Sequence, residues 1–230
     1  MSKSTRDQES ASHEALAVVL QVRDGRLEVL LWERALQPFS GAWALPGGLL
    51  GAGETLEESI QRHLATKVDV RDLSHLEQLE TLSDPKRHPE RRVIATAYLG
   101  LVPAGIDPKV PADTGWHPVD DLPELAFDHL AGVLAGRERL RAKLSYTNIG
   151  FALAPPEFTI AELRGLYRAA LGHDLSATNL QRILLRRALL EPTGEQRPPG
   201  RAGGRPAAVY RFRSRALEVT DQFAILRPPG

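Results

Sequence analysis

The chain of 230 residues has no cysteine and one methionine. The absence of cysteine excludes a disulfide scaffold, a thiolate metal site and a cysteine nucleophile. No apolar run approaches the roughly 20 residues of a membrane-spanning helix. The opening MSKSTRDQESASHE is polar and mixed in charge, so it reads as neither signal peptide nor anchor, and a cytoplasmic protein with no membrane partner is expected. Net charge is missing too, with 29 basic residues against 29 acidic ones. That balance excludes a uniformly basic nucleic-acid binder and nothing more. What remains is 42% hydrophobic, enough for one large domain or two ordinary ones.

The charges are unevenly placed. Residues 1–140 carry 15 Lys and Arg against 22 Asp and Glu, a net of −7, whereas residues 141–230 carry 14 against 7, a net of +7. Such asymmetry points to two modules with different partners. The division expected is a flexible segment 1–13, a first domain 14–145 and a second domain 146–230. No internal repeat is visible.

The first part alternates strand-like and helix-like segments. Ala15–Val22 and Leu27–Trp32 flank an Asp24-Gly25 turn, a strong hairpin signal. Phe39–Gly53 is a glycine-rich loop. Thr55 and Glu58 have capping-box spacing, and Leu56, Ile60, Leu64 and Val68 recur every four residues, which predicts a helix. Leu73–Leu82 reads as a strand or irregular edge, Ser83–Arg92 as an exposed loop, Val93–Val102 as a buried strand, and Ala126–Leu144 as a helix. In the second part Tyr146–Ala154 reads as a short helix closed by Pro155-Pro156. A second capping box at Thr159 and Glu162 opens a helix ending at Gly172, and a third helix is expected over Ser176–Leu190. Two strands joined by a Pro/Gly/Arg-rich tip follow. Three short helices and a hairpin are the order of a winged helix-turn-helix.

The segment Gly47–Val70, GGLLGAGETLEESIQRHLATKVDV, resembles the Nudix box. Gly48, Glu54, Arg62, Leu64 and Val70 fall on the fixed and aliphatic positions of that pattern. The flanking WALPGG and WHPVDDLPELAFDH are similar to Nudix members acting on ADP-ribose. The resemblance implies an α/β/α sandwich with a mixed sheet and a nucleotide pocket. Nudix hydrolases hold divalent ions with three carboxylates on one helix face, and the matching positions here are His63, Thr66 and Lys67. A hydroxyl and an ammonium do not hold Mg²⁺, which takes negatively charged oxygen ligands. Asp69 stands where the pattern has glycine, and Glu57 and Glu58 occupy non-ligand positions. No catalytic residue, metal ligand or cofactor is therefore assigned. Ligand-binding candidates are Gly47 and Gly48 for close backbone approach, Arg34, Arg91 and Arg92 for phosphate oxygens, Trp43, Trp116 and Phe127 for stacking on an adenine, and His129.

In the basic part, Thr178, Arg182 and Arg186 stack on one helix face with Asn179 and Gln181 beside them, while Leu180, Ile183, Leu184 and Leu190 gather opposite. Arginine pairs with guanine and glutamine with adenine, so these are the candidate base contacts. Leu185 and Leu189 fall on the arginine face and Arg187 on the apolar one. Arg197, Arg201 and Arg205 at the hairpin tip, with Arg211 and Arg213 on the returning strand, make a candidate wing.

A Nudix domain with a broken box, followed by a winged helix ending GRPAAVYRF, resembles the Nudix-related regulators of NAD metabolism (NrtR). The resemblance implies an α+β fold and a homodimeric repressor of NAD biosynthesis or salvage genes. It implies binding to double-stranded palindromic DNA and release of the operator when ADP-ribose, or a related nucleotide effector, enters the pocket. Two other classes compete with it: a working pyrophosphohydrolase of ADP-ribose-type substrates with an appended domain, and a protein–protein adaptor whose winged helix binds no DNA.

Overall fold

The computed structural model describes residues 11–71, 73–198 and 206–220. The first strand, β1 (Ser12–Arg23), organises the N-terminal part. One edge of it pairs in parallel with β6 (Val93–Leu101) from Ser12 opposite Val93 to Leu20 opposite Leu101. That register draws residues 12 and 13, expected to be flexible, into the sheet; residues 1–10 lie outside the described residues. The other edge is divided. Its N-terminal half pairs with β4 (Gly47–Leu49) and its C-terminal half with β2 (Arg26–Glu33), both antiparallel. β3 (Trp43–Ala44) and β7 (Thr114–Pro118) join β2, and β5 (His75–Leu82) closes the edge beyond β6. The sheet is therefore mixed, as expected. β3 and β4 lie inside the glycine-rich loop, and at two and three residues they are too short to show alternation. β7 was also not foreseen as a strand.

Alternation along β1 separates two layers. Ala15, Ala17 and Val19 face α1 (Leu56–Lys67), which buries Ile60, Leu64 and the capping residue Val68 against them. Val18, Leu20 and Val22 face α2 (His129–Tyr146), with Val133, Leu140 and Leu144. This is the expected α/β/α sandwich. The capping box is formed: the Thr55 side chain accepts from Glu58 N, and the Glu58 carboxylate accepts from Thr55 N at 2.8 Å.

The C-terminal part begins with a 3₁₀ turn (Ile149–Ala152), shorter than the helix expected over Tyr146–Ala154, whose first residue ends α2. It continues through β8 (Phe158–Thr159), α3 (Ile160–Leu171), α4 (Ala177–Arg186), β9 (Leu190–Arg197) and β10 (Ala207–Phe212), in a sheet of order β8-β10-β9. The second capping box, Thr159 with Glu162, and the left-handed Gly172 that ends α3 are both as the sequence predicts. α4 is shorter than expected. Ala188 turns the chain with φ +54°, Leu189 is buried rather than on the arginine face, and Leu190 already belongs to β9. Leu185 does stay exposed.

One hydrophobic cluster runs from Val18 and Leu20 through α2, the 3₁₀ turn and α3 to Phe212, so the two parts share a core. Polar bonds reinforce the junction. Asn148, buried, donates through Nδ2 to Ala216 O at 2.8 Å and accepts through Oδ1 from Glu218 N at 2.7 Å. Its backbone N–H donates to Glu218 O, and Thr220 N to Tyr146 O. Arg187 donates to Ser145 O at 2.8 Å, which accounts for a charged residue on the apolar side of α4.

Tyr167 of α3 packs in this junction against Gly150, where a Cβ would come within 2.4 Å of its hydroxyl. The hydroxyl is buried with no hydrogen-bond partner among the described residues, and burial raises its pKa. An unpaired buried hydroxyl costs about 1–3 kcal/mol. Tyr167→Phe is therefore expected to raise the unfolding free energy by about 1 kcal/mol, measured by urea denaturation; a loss of stability would mean that the hydroxyl has a partner.

Candidate functional site

Where β1 divides between β2 and β4, a cavity of about 730 Å³ opens against α1, the loop after β2 and the start of α2. Its floor depends on glycine. A Cβ on Gly47 would fall 2.2 Å from Ala15 O, and one on Gly48 would fall 2.6 Å from His63 Cε1. No side chain fits at Gly47, and at Gly48 one would have to displace the His63 ring, so backbone forms the wall there.

Six of the nine ligand-binding candidates reach this cavity: Arg34, Gly47, Gly48, Arg91, Phe127 and His129. Three do not. Trp43 belongs to β3, packs beside the α2-side core, and meets the His117 ring at 4.3 Å. Arg92 donates to Ser83 O at 2.9 Å and clips its own loop. Trp116, the other stacking candidate, also packs in a core layer, on the α1 side. Of the aromatic candidates only Phe127 remains, and it is tightly held. It has φ +56°, rare for an aromatic residue, and contacts Phe39, His88 and His129 with the Arg34 guanidinium 4.7 Å from its ring centroid. Strained backbone of this kind persists where the surroundings over-determine it.

Ser83–Arg92, expected as an exposed loop, sends Arg87 and His88 inward. Arg87 forms a two-pronged pair with Asp128, Nε to Oδ2 at 3.0 Å and an Nη to Oδ1 at 2.9 Å, and lies 3.8 Å from Glu14. The pair ties this loop to the start of α2 across 41 residues of sequence. Glu14, Trp32, Arg62, His63, Lys67 and Glu90 also line the cavity. Of these, only Arg62, His63 and Lys67 carried a sequence signal, through the Nudix pattern.

Four cations, Arg34, Arg62, Lys67 and Arg91, share the cavity wall with two carboxylates, Glu14 and Glu90. Arg62 is taken up by Glu54, whose pKa it lowers to about 2 together with the Gly51 N–H. Burial lowers the pKa of Arg34 and of Lys67; Glu14 opposes this in both, while Arg91 adds to it for Arg34, and Arg34 and Arg62 add to it for Lys67. Cations that depress one another in a half-closed cavity favour an anion.

The positions that hold metal in a Nudix box do not fit a divalent ion here. Burial lowers the pKa of His63, which stands 3.1 Å from Leu49 O. Thr66 donates back to Arg62 O within its helix. Lys67 Nζ donates to Gly47 O at 2.6 Å. Among the described residues no group of three or more His, Asp and Glu could hold a metal ion.

The α4 surface forms the second site. Thr178, Asn179, Arg182 and Arg186 are exposed, and Arg182 is oriented by a 2.7 Å bond to Asn179 Oδ1. Gln181 is turned aside. Its amide donates to the Tyr210 hydroxyl at 3.0 Å, fastening α4 to β10. Arg197 pairs with Glu162 and Arg211 with Glu191, so these wing-arm arginines are engaged within the fold. Arg201 and Arg205 lie outside the described residues.

With this geometry in view, comparison with known proteins is informative. Residues 12–135 match the NUDIX domain and residues 150–212 the NrtR DNA-binding winged helix domain. The chain is 30% identical over 201 residues to the ADPR responsive transcriptional repressor NtrR of Acinetobacter baylyi, covering 84% of this chain and 79% of that one. Among solved structures, Shewanella oneidensis NrtR complexed with a 27mer DNA is similar at TM-score 0.74 and 33% identity, covering 87% of this chain and 93% of that one. The NUDIX domain of the same Shewanella protein, complexed with ADP ribose, is similar at TM-score 0.51 and 34% identity, covering 57% and 89%.

His129 gives the cavity a measurable signature. Its Nδ1 accepts from Leu45 N at 3.0 Å, and burial pushes its pKa down to about 3. As pH falls from about 6.5 toward 3, the unfolded chain takes up a proton that the folded one refuses. Stability present above that window is lost within it, by up to about 1.4 kcal/mol per pH unit for one such group. His129→Asn, whose Oδ1 takes the place of Nδ1 as acceptor for Leu45 N, should therefore show a shallower loss in urea unfolding between pH 7 and 4.5. His63, His88 and His117, shifted in the same direction, leave a residual slope. Identical slopes in wild type and variant would refute the assignment.

Proposed function

Because the chain belongs to the NrtR family of Nudix-related regulators, we propose that it is a DNA-binding repressor of NAD biosynthesis or salvage genes whose Nudix domain senses ADP-ribose without hydrolysing it. The observation that carries this reading is the pairing, on one shared core, of a cationic cavity lacking metal carboxylates with an exposed Thr178–Asn179–Arg182–Arg186 face. The cavity's size and charge suit a nucleotide diphosphate. Gly47 and Gly48 bring backbone against the ligand, Arg34 and Arg91 meet its phosphates, and Phe127 and His129 bound the base or ribose.

The α4 face enters the major groove, with Arg182 and Arg186 reading bases or phosphates and the hairpin tip, including Arg201 and Arg205, adding wing contacts. Two copies bind a palindromic operator in the cytoplasm, each reading one half-site. Ligand affects DNA through β1, whose N-terminal half lines the cavity while its C-terminal residues share a core with α3. ADP-ribose lowers operator affinity by favouring one arrangement of the two parts over the other.

Footprinting on the chain's own upstream region and on NAD-gene promoters, with and without ADP-ribose, tests the reading as a whole. A symmetric footprint weakened by ADP-ribose is expected; no protected site would leave the adaptor class standing. Arg182→Ala should weaken operator binding by about tenfold or more, the scale of one lost arginine–base contact, and reduce the salt dependence where it meets phosphate. Incubation with ADP-ribose and Mg²⁺ should release no AMP. Metal-dependent release lost on changing Glu57 and Glu58 would establish the hydrolase reading instead.

A further inference from the structure

Lys67 stands where the Nudix pattern places a metal-binding carboxylate, and its surroundings make it more than a lost ligand. The ammonium is partly buried on the cavity wall, held by its bond to Gly47 O and lying 4.7 Å from the Trp32 ring centroid. It has no ion pair with a described carboxylate. Glu14, the carboxylate that most favours its charge, is engaged by Arg91 at 3.4 Å and Arg87 at 3.8 Å. One N–H is used on Gly47, which leaves two donors on a charge that burial has partly desolvated. A partly desolvated cation on the wall of an anion-favouring cavity, fixed by backbone and without an ion pair among the described residues, gains its counter-charge when an anionic ligand enters.

We infer that the Lys67 ammonium is the diphosphate-binding cation of this pocket, replacing the divalent ion of the Nudix box, so that ADP-ribose binds at full strength with no metal. The inference rests on the reading of the cavity as an ADP-ribose site. The replacement is chemically coherent. Lysine binds phosphate as a point charge and needs no carboxylate cage to hold it in place. Its tether to Gly47 places it without the ligands that His63 and Thr66 no longer provide.

The test is calorimetric titration of the full chain with ADP-ribose, in EDTA and again in millimolar Mg²⁺, alongside Lys67→Met. Wild type should bind with the same affinity within about twofold in both buffers. Lys67→Met should lose tenfold or more in both, while its ligand-free operator binding, which does not use Lys67, reports that it is folded. A tenfold or greater gain of wild-type affinity in Mg²⁺ would overturn the inference and leave the sensor reading intact. Unchanged affinity of Lys67→Met would overturn it equally. Absence of ADP-ribose binding by wild type in either buffer would remove the sensor reading itself, and the inference with it.

Discussion

The approach of Gly47 to β1 is the constraint on which the site depends. The chain passes so near Ala15 that a single Cβ would collide with its carbonyl, and this closeness lets β4 pair with the first half of β1. Once β4 is seated, its carbonyls become fixed acceptors. Lys67 reaches Gly47 O and His63 sits against Leu49 O, so two of the altered Nudix positions are held by the backbone of the loop they face. Gly48 leaves room for the His63 ring. In an enzyme of this fold the helix would present carboxylates to ions; here the same helix face is bonded to the loop. The loss of metal ligands has not left a hole, because the replacements make structural contacts of their own.

Charge in this molecule has to be read locally. The N-terminal 140 residues carry a surplus of seven acidic groups, yet their cavity is lined by more cations than anions. The acids are spent elsewhere: Glu54 on Arg62, Glu58 on its cap, Glu77 on Lys143, Asp128 on Arg87. The basic C-terminal part shows the reverse economy. Arg197 and Arg211 are paired with acids, while Arg182 and Arg186 stay exposed on α4, where Arg182 is oriented by Asn179.

Local signals in the sequence carried the architecture. Both capping boxes, the hairpin turn, the apolar runs of β1 and β6 and the left-handed Gly172 lie within a few residues of their causes, and each formed as read. The three missing carboxylates were equally legible, because the box is a fixed-spacing pattern. What escaped was non-local or too short for a period. Arg87 sits among loop-forming residues, and only its pairing with distant Asp128 explains its burial. Gln181 lies where a base contact is expected on a helical wheel, but Tyr210 on another strand claims its amide. Trp43 has the composition of a stacking residue and the register of a packing one. A helical wheel did not reveal that α4 ends at Arg186, because the turn at Ala188 owes more to the burial of Leu189 and Leu190 than to any local breaker.

The Asn148 side chain, bonded on both edges to the returning segment at Ala216 and Glu218, has a consequence for timing. It ties the two parts together above a common core. A signal passing between parts joined in this way needs no segment to fold or unfold, and movements of packed units against one another take microseconds to milliseconds.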